Sequence, residues 1–168
     1  LANEDAPGTS NAKAPVKPID WNLIGTDGAK EVVIRTKAGR IVLKLWPDIA
    51  PATVSSFLEL VKSGYYDGKV FHRVVPNFVA QGGGLQGDGY VAENFRIRTE
   101  TPGVHWDRAG LIGMASAGKD TEDVQFFLTH RATPHLDGNY TIFGAVVEGQ
   151  EIVDQLVVGS KMESITLR

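Results

Sequence analysis

The sequence predicts an all-β fold, a closed eight-stranded antiparallel barrel whose ends are capped by two α-helices. Short runs rich in β-branched and aromatic residues recur along the 168 residues, and turn residues, including many of the 19 glycines, separate them. The chain lacks the sustained strand–helix alternation that builds a parallel sheet. Only two stretches of the sequence have the apolar spacing of an amphipathic helix. A barrel lets so many short strands pair without leaving sheet edges exposed.

The composition is that of a single soluble globular domain, with 42% hydrophobic and 22% charged residues. A formal charge of −3 and a pI near 5.8 provide no basic surface for nucleic acid. No apolar run approaches the roughly 20 residues that span a membrane. The sequence contains no cysteine, which excludes disulfides, thiolate nucleophiles and cysteine-ligated zinc.

We expect residues 1–19 to form a flexible linker or tail and residues 20–168 to form the domain. The first segment mixes proline, small residues and charge without periodicity. Because the chain starts at Leu1 and not at methionine, we expect that it was processed or cut from a longer protein. A linker would suit a tethered or extracytoplasmic domain, and a frayed terminus fits the same residues equally well.

The first half of the domain begins with a hairpin. Residues 31–36 and 40–46 alternate as strands around a turn at residues 37–39. Pro51 suits the first position of a helix, and apolar residues follow it at helical spacing as far as Gly64. A strand then starts at residue 70, breaks at a Pro-Asn turn, and resumes before three glycines.

The second half supplies the remaining elements. We predict extended chain at residues 90–98, strands at 111–117, 125–129, 141–147 and 164–167, and a helix at 150–157. The glycine-rich residues 82–89 formally match G-x-G-x-x-G. They precede no helix and lie in no strand–helix–strand unit, so a loop with several positive φ angles explains them better than a dinucleotide site does.

The stretch VFHRVVPNFVAQGGG, residues 70–84, contains an arginine within an apolar strand. Strict alternation would place Phe71, Arg73 and Val75 on one face and His72 and Val74 on the other. A buried guanidinium is costly without a partner. Arg73 therefore either pairs with a carboxylate or lines a cleft where it meets a substrate carbonyl, and the residues alone leave both interpretations open.

The sequence gives little support for a metal site or a serine nucleophile. The histidines at 72, 105, 130 and 135 lack metal-ligand spacing, and no serine lies in a G-x-S-x-G elbow. Glu122 and Asp123 stand in a polar stretch, where we expect them to face water.

Four blocks of sequence carry a family resemblance. They are VFHRVVPNFVAQGG, GLIGMASAG, QFFLTH and LDGNYTIFGAVVEGQEIVDQL, in this order, and the match as a whole runs from about residue 31 to residue 167. The chain resembles the cyclophilin family of peptidyl-prolyl cis–trans isomerases. The resemblance implies a barrel with a packed interior, a peptide groove on its outer surface, and catalysis without cofactor or metal.

The resemblance also implies the site residues. The catalytic set would be Arg73, Phe78 and Gln81, where Gln81 hydrogen-bonds the peptide and Phe78, with Phe127 and Leu136, holds the proline ring. The remaining substrate-binding residues would be Val79, Ala115, Ser116, Ala117, Gln125, Phe127, His135, Leu136 and Tyr140. Val79, Ser116, His135 and Tyr140 stand where many members have methionine, asparagine, tryptophan and histidine respectively, and Tyr140 looks bacterial.

The implied activity is rotation about X-Pro bonds in proline-containing peptides and in unfolded or loop segments of client proteins, by a monomer. We expect weak cyclosporin binding, because the family's tryptophan at position 135 is absent. One alternative is a groove that binds proline-containing segments without turnover. Another is a barrel that carries a small ligand inside, which the bulky alternation of Ile41, Leu43 and Leu45 disfavours.

Overall fold

The computed structural model describes residues 14–25, 30–84 and 94–168. Its strands are β1 (Lys30–Thr36), β2 (Gly39–Leu45), β3 (Phe71–Val75), β4 (Val79–Gly82), β5 (Leu111–Met114), β6 (Phe126–Thr129), β7 (Ile142–Glu148) and β8 (Ser164–Leu167). Its helices are α1 (Trp21–Ile24), α2 (Pro51–Lys62) and α3 (Gln150–Gln155), with a 3₁₀ turn at Pro134–Leu136. Within these ranges no helix has the length and apolar character that crossing a bilayer requires.

The eight strands form one antiparallel sheet in the order β3-β4-β6-β5-β7-β2-β1-β8. The segments before β3 and β8 join its two ends. The Phe71 amide donates to the Ser160 carbonyl at 2.9 Å, and the Met162 amide donates to the Lys69 carbonyl at 2.8 Å. These hydrogen bonds close the curled sheet, so the predicted all-β barrel is confirmed.

Side chains fill the barrel interior. The ring of Phe57, from α2, lies 5.3, 5.6 and 5.2 Å from the ring centroids of Tyr66, Phe126 and Phe143. All four side chains are fully buried, and aromatic contacts of this geometry stabilise a core beyond the area that they bury. An interior packed in this way contradicts the ligand-carrying barrel and leaves the outer surface for a binding site.

The predicted helix at Pro51 is present, but its N-cap residue, Ala50, provides no side-chain hydrogen bond. A carboxylate from a distant segment replaces that cap. The amides of Ala52 and Thr53 donate to the two Glu100 oxygens at 3.1 and 2.8 Å, and the Thr53 hydroxyl donates at 2.7 Å. Gly64, just beyond the helix, has φ +73°, which suits a helix C-terminus.

Two parts of the chain differ from the expected pattern. Of residues 90–98, predicted as extended, residues 90–93 lie outside the described ranges. Arg96 and Ile97 form isolated bridges to Val16 and Glu122 and belong to none of the eight strands. A short third helix, α1, stands where no helix was predicted, and the Asp20 carboxylate caps it by accepting from two of its amides.

Residues 14–19 lie within the expected tail, yet they contact the domain. The Arg96 amide donates to the Pro15 carbonyl at 3.0 Å, and the Lys17 amide donates to the Arg96 carbonyl at 2.9 Å. The Lys17 ammonium lies 3.3 Å from a Glu59 oxygen. Ordered contacts therefore begin before residue 20, and residues 1–13 lie outside the described ranges.

A β-bulge in β3 corrects the predicted alternation. Phe71 pairs with Gly82 and Arg73 with Gln81, so β3 has one more residue than β4 between these two pairs, and that residue is His72. Phe71 belongs to the interior core, and Val74 packs against that core as well. Arg73 and Val75 therefore face outward, which strict alternation from Phe71 would not allow.

Candidate active site

The candidate site begins as a row of residues across the outer face of four strands. Arg73 on β3 lies opposite Gln81 on β4, Gln81 opposite Phe127 on β6, and Phe127 opposite Gly113 on β5. Directly paired residues project their side chains to the same face. Since neighbouring strands lie about 4.8 Å apart, the guanidinium, the amide and the aromatic ring lie side by side, with Arg73 half-buried and Gln81 and Phe127 almost fully buried.

Arg73 and Gln81 both present polar atoms that no other described residue satisfies. The Arg73 Nη1 atom is enclosed and has no hydrogen-bond partner within the described chain, and no carboxylate there forms an ion pair with this guanidinium. Gln81 is almost fully buried; its Nε2 donates to Gln125 Oε1 at 3.2 Å, and its Oε1 has no partner within the described chain. Unsatisfied buried groups are costly, so their presence here fits a ligand that completes them.

Apolar residues form a cluster beside this polar pair. Its buried members are Val79, Trp106, Leu111, Ala115, Phe127, Leu136 and Ile142, and Phe78 and Tyr140 pack against them from the rim. The Phe78 ring lies 5.3 Å from the imidazole of His135, and the Phe127 ring meets Tyr140 edge-on at 5.9 Å. The cluster provides an apolar wall next to a cation, which suits a ring-shaped, uncharged group.

Trp106, which the sequence analysis did not place in the site, is a structural part of this cluster. Its indole stacks on Phe127 at 4.9 Å and is almost completely buried. A Cβ atom at Gly113 would lie 2.2 Å from the indole, so glycine at that position lets the ring lie against β5. A tryptophan in an otherwise polar loop was the signal, because so large an apolar side chain is seldom left exposed.

Asp137 ties the Trp106 loop to the 3₁₀ turn that carries His135 and Leu136. The Trp106 amide donates to Asp137 Oδ1 at 2.6 Å, and the His105 ring donates through Nδ1 to Asp137 Oδ2 at 3.2 Å. The backbone hydrogen bond from Trp106, followed by the contact with His105, lowers the pKa of Asp137. The carboxylate therefore stays charged, and it holds the Trp106 loop and the 3₁₀ turn in fixed positions relative to each other.

The segment Ala115–Ala117 follows β5 at one end of the row. The Ala115 amide donates to the Gln125 carbonyl at 2.9 Å, and the Ala117 amide donates to Thr121 Oγ1 at 2.9 Å. Those two donors are therefore used within the protein. A peptide that pairs with this segment would use the Ser116 amide or the carbonyl oxygens.

Glu122 and Asp123, expected to face water, are buried instead. Glu122 is 0% exposed, and neither carboxyl oxygen has a hydrogen-bond partner within the described chain. Burial raises the pKa of Glu122 to about 7, and the charge of Asp120 acts in the same direction. Thr99 is near enough to oppose this rise, although its contact does not reach hydrogen-bond geometry. The sequence pattern did not predict the burial of Glu122, because that burial depends on the pairing of Ile97 with Glu122.

A family model described as cyclophilin-type peptidyl-prolyl cis-trans isomerase matches residues 31–166. The chain belongs to the cyclophilin family. It is 43% identical to peptidyl-prolyl cis-trans isomerase B of Bacillus subtilis over 127 residues, which cover 75% of this chain and 89% of that protein. It is 42% identical to a peptidyl-prolyl cis-trans isomerase of Helicobacter pylori over 156 residues, covering 90% of this chain and 95% of the relative.

Solved cyclophilin structures share the fold. A cyclophilin-type isomerase of Cryptosporidium parvum superposes with a TM-score of 0.79 at 29% identity, over 83% of this chain and 98% of that one. The same protein solved in the presence of the dipeptide Ala-Pro gives a TM-score of 0.77 at 28% identity, over 82% of this chain and 98% of that one. This cyclophilin is a peptidyl-prolyl cis–trans isomerase, as the resemblance of its sequence implied.

The cyclophilin fold brings the predicted site residues to the outer face of the sheet and the loops beside it, where most of them are buried. Arg73, Gln81 and Gln125 supply its polar groups, and Ala115, Ser116 and Ala117 supply backbone at one end. The apolar and aromatic members are Phe78, Val79, Phe127, His135, Leu136 and Tyr140. Within the described ranges no three histidine, aspartate or glutamate side chains are arranged to hold a metal ion.

Proposed function

We propose that this outer surface is the catalytic groove, in which Arg73 stabilises the twisted amide of a bound X-Pro bond. The observation that carries the proposal is the pair of enclosed, unsatisfied atoms, Arg73 Nη1 and Gln81 Oε1, beside the apolar cluster around Phe127. A half-buried cation that has no carboxylate partner among the described residues is expected where a ligand supplies the acceptor.

The chemistry requires no bond cleavage. Rotation about the amide meets a barrier of about 18–20 kcal/mol, which arises from amide resonance. Twisting localises the lone pair on the proline nitrogen. A fixed guanidinium donates toward that nitrogen and holds the proline carbonyl, and both interactions strengthen as charge localises. The site lowers the barrier because it binds the twisted amide better than either planar form.

The peptide would bind with its proline ring against Phe78, Phe127 and Leu136, while Gln81 donates to or accepts from its backbone. The residues before proline would pair with the backbone of Ala115–Ala117, next to Gln125. The Cryptosporidium parvum structure determined in the presence of Ala-Pro supports a proline-containing peptide as the substrate. Val79 and Tyr140 complete the lining of the groove.

The cellular substrates would be exposed X-Pro bonds in unfolded or loop segments of client proteins, whose slow isomerisation limits folding. The domain would act as a monomer. Cyclosporin would bind weakly, because His135 offers a smaller ring than tryptophan. The small and polar composition of residues 1–13 supports a tether, and with it an extracytoplasmic location.

The test compares the wild-type protein with Arg73→Ala in an NMR exchange assay on a short Ala-Pro peptide. Losing one charge-assisted hydrogen bond in the transition state should lower kcat/KM by about 100- to 1,000-fold. Arg35→Ala is the matched control, because Arg35 on β1 is exposed and donates to Thr166, and β1 lies across the closed barrel from β6 and Phe127. It should leave the rate unchanged.

The alternative is a groove that binds proline-containing segments without turnover as its purpose. In that case neither the wild-type protein nor Arg73→Ala would accelerate exchange, although the peptide would still bind by chemical-shift titration. Equal acceleration by the wild-type protein and by Arg73→Ala would instead remove Arg73 from the mechanism and leave the isomerase activity intact.

A further inference from the structure

We infer that the groove continues past the proline pocket into a subsite that selects an acidic residue after proline. A shallow cavity lies there, lined by Val75, Pro76, Asn77, Phe78, Arg131 and His135. This inference rests on the proposed function, because it assumes that the peptide lies along the same outer face. It adds a preference for substrates in which a carboxylate follows the X-Pro bond.

The backbone around the cavity is held in place. The turn between β3 and β4 contains Asn77 with φ +58°, and the Phe78 amide donates to the Val75 carbonyl at 3.0 Å. The His130 amide donates to the Phe78 carbonyl at 2.8 Å, and the Thr133 amide donates to the Trp106 carbonyl at 2.8 Å. Arg131 lies between these last two anchors, so its backbone is fixed while its side chain reaches solvent.

Strand register places this cavity at the end of the groove that faces away from Ala115–Ala117. Along β6, Gln125 precedes the strand beside Ala115, Phe127 lies at its centre, and Arg131 follows its end. The strand between Gln125 and Arg131, Phe126–Thr129, spans about 13 Å, several peptide residues in length. A peptide whose pre-proline residues pair at Ala115–Ala117 therefore brings its post-proline residues to the cavity at Arg131.

Arg131 gives the cavity a positive charge. Arg131 is exposed and forms no ion pair with any described residue, and His135 adds an exposed imidazole stacked near Phe78. Among the described residues, no carboxylate lines the cavity. A guanidinium donates two parallel hydrogen bonds to a carboxylate, so a glutamate or aspartate one or two residues after proline is the complementary group.

The experiment uses three pentapeptides in which Ala-Ala-Pro is followed by two glutamates, two glutamines or two lysines. NMR exchange gives kcat/KM for each at one low ionic strength. An exposed ion pair should favour the glutamate peptide over the glutamine peptide by about two- to fivefold, and the lysine peptide should be the slowest. Arg131→Gln should abolish the preference, and Arg131→Glu should reverse it toward lysine.

Lys119→Glu is the matched control, since Lys119 is exposed and lies two residues beyond Ala117, at the other end of the groove. It should leave the order of the three peptides unchanged. If Arg131→Glu also leaves the order unchanged, or if Lys119→Glu reverses it equally, the subsite is wrong.

Failure of the proposed isomerase function would give a different experimental result from failure of the subsite. Equal acceleration of all three peptides by the wild-type protein would overturn the subsite alone. If no peptide is accelerated, the isomerase mechanism fails, and the affinities from chemical-shift titration then test the subsite separately. In that case a glutamate preference that Arg131→Glu reverses supports the subsite, and equal affinities overturn it.

Discussion

His72 determines on which side of the sheet Arg73 projects. Without the extra residue, Arg73 would share a face with Phe71, whose ring is fully buried in the barrel core. Burying a guanidinium there without a partner would cost several kcal/mol. The bulge keeps Phe71 inside and moves Arg73 to the row with Gln81 and Phe127. Bulges re-aim side chains in this way next to active sites.

Glu122 should make stability depend on pH. Its folded-state pKa of about 7 lies above the ordinary glutamate pKa of 4.5, so between these two pH values the folded protein holds a proton that the unfolded chain releases. The contribution of Glu122 to stability is therefore fully present below about pH 4.5 and is lost as the pH rises to about 7, by an amount on the order of 3 kcal/mol. Glu122→Gln, which cannot ionise, should be more stable than the wild-type protein at pH 8.

Urea unfolding at several pH values between 5 and 8 measures this effect. The difference in unfolding free energy between Glu122→Gln and the wild-type protein should grow across that window. Glu163→Gln is the control, because Glu163 is exposed, and its curve should run parallel to that of the wild-type protein. A constant offset for Glu122→Gln would show that the carboxyl is ionised in the folded protein throughout.

At the level of elements, α2 depends on a carboxylate that is distant in sequence. Glu100 accepts from the amides of Ala52 and Thr53, and its own amide donates to Thr141 Oγ1 at 2.8 Å. The charge also lies at the positive end of the helix dipole. Glu100 thus performs the role of an N-cap and ties α2 to the chain entering β7.

Removing this cap should destabilise the protein by about 1–2 kcal/mol, measured as the free energy of unfolding of Glu100→Ala in urea. Glu100→Gln separates charge from hydrogen bonding, because its amide oxygen still accepts from the helix while the negative charge is lost. We expect an intermediate stability for Glu100→Gln. Equal stability of Glu100→Ala and the wild-type protein would mean that solvent replaces the cap at no cost.

Local patterns predicted the elements well. Short-range alternation identified the strands of the barrel, and Pro51 with its apolar spacing identified α2. Three features were not predicted from the sequence because they depend on partners that are distant in sequence. The bulge at His72 depends on pairing with β4, the burial of Trp106 on Phe127, and the burial of Glu122 on Ile97. The site residues came from the family resemblance, since residue types alone left Arg73 with two interpretations.

In the whole molecule, the sheet separates two apolar layers that share the same strands. On β6, Phe126 and Leu128 belong to the interior core, while Phe127 belongs to the outer cluster with Trp106 and Leu136. Alternation along one strand thus supplies both the core and the groove floor. Because the floor is backed by a close-packed interior, the groove keeps its shape without a ligand, which favours pre-organised electrostatic catalysis.

Closure of the barrel should prevent the sheet from fraying at its ends. The amides of Phe71 and Met162 donate across the junction between the segments that precede β3 and β8, and the Asp67 carboxylate accepts from the Ile165 amide at 3.1 Å. Met162 is fully buried beneath this junction. The residues that join the ends are therefore part of the same cooperative unit as the central strands.

Native-state hydrogen exchange measured by NMR tests this cooperativity. Amide protons of Phe71 and Met162 should exchange only through global unfolding, with protection free energies within about 1 kcal/mol of those in the middle of β2 and β7. Met162→Ala leaves a cavity under the junction and should lower stability by about 2–5 kcal/mol. If instead the two amides exchange much faster than those of β2, the barrel opens at this junction while the rest stays folded. Arg73, two residues beyond Phe71, would then lie on a strand that moves relative to Phe127.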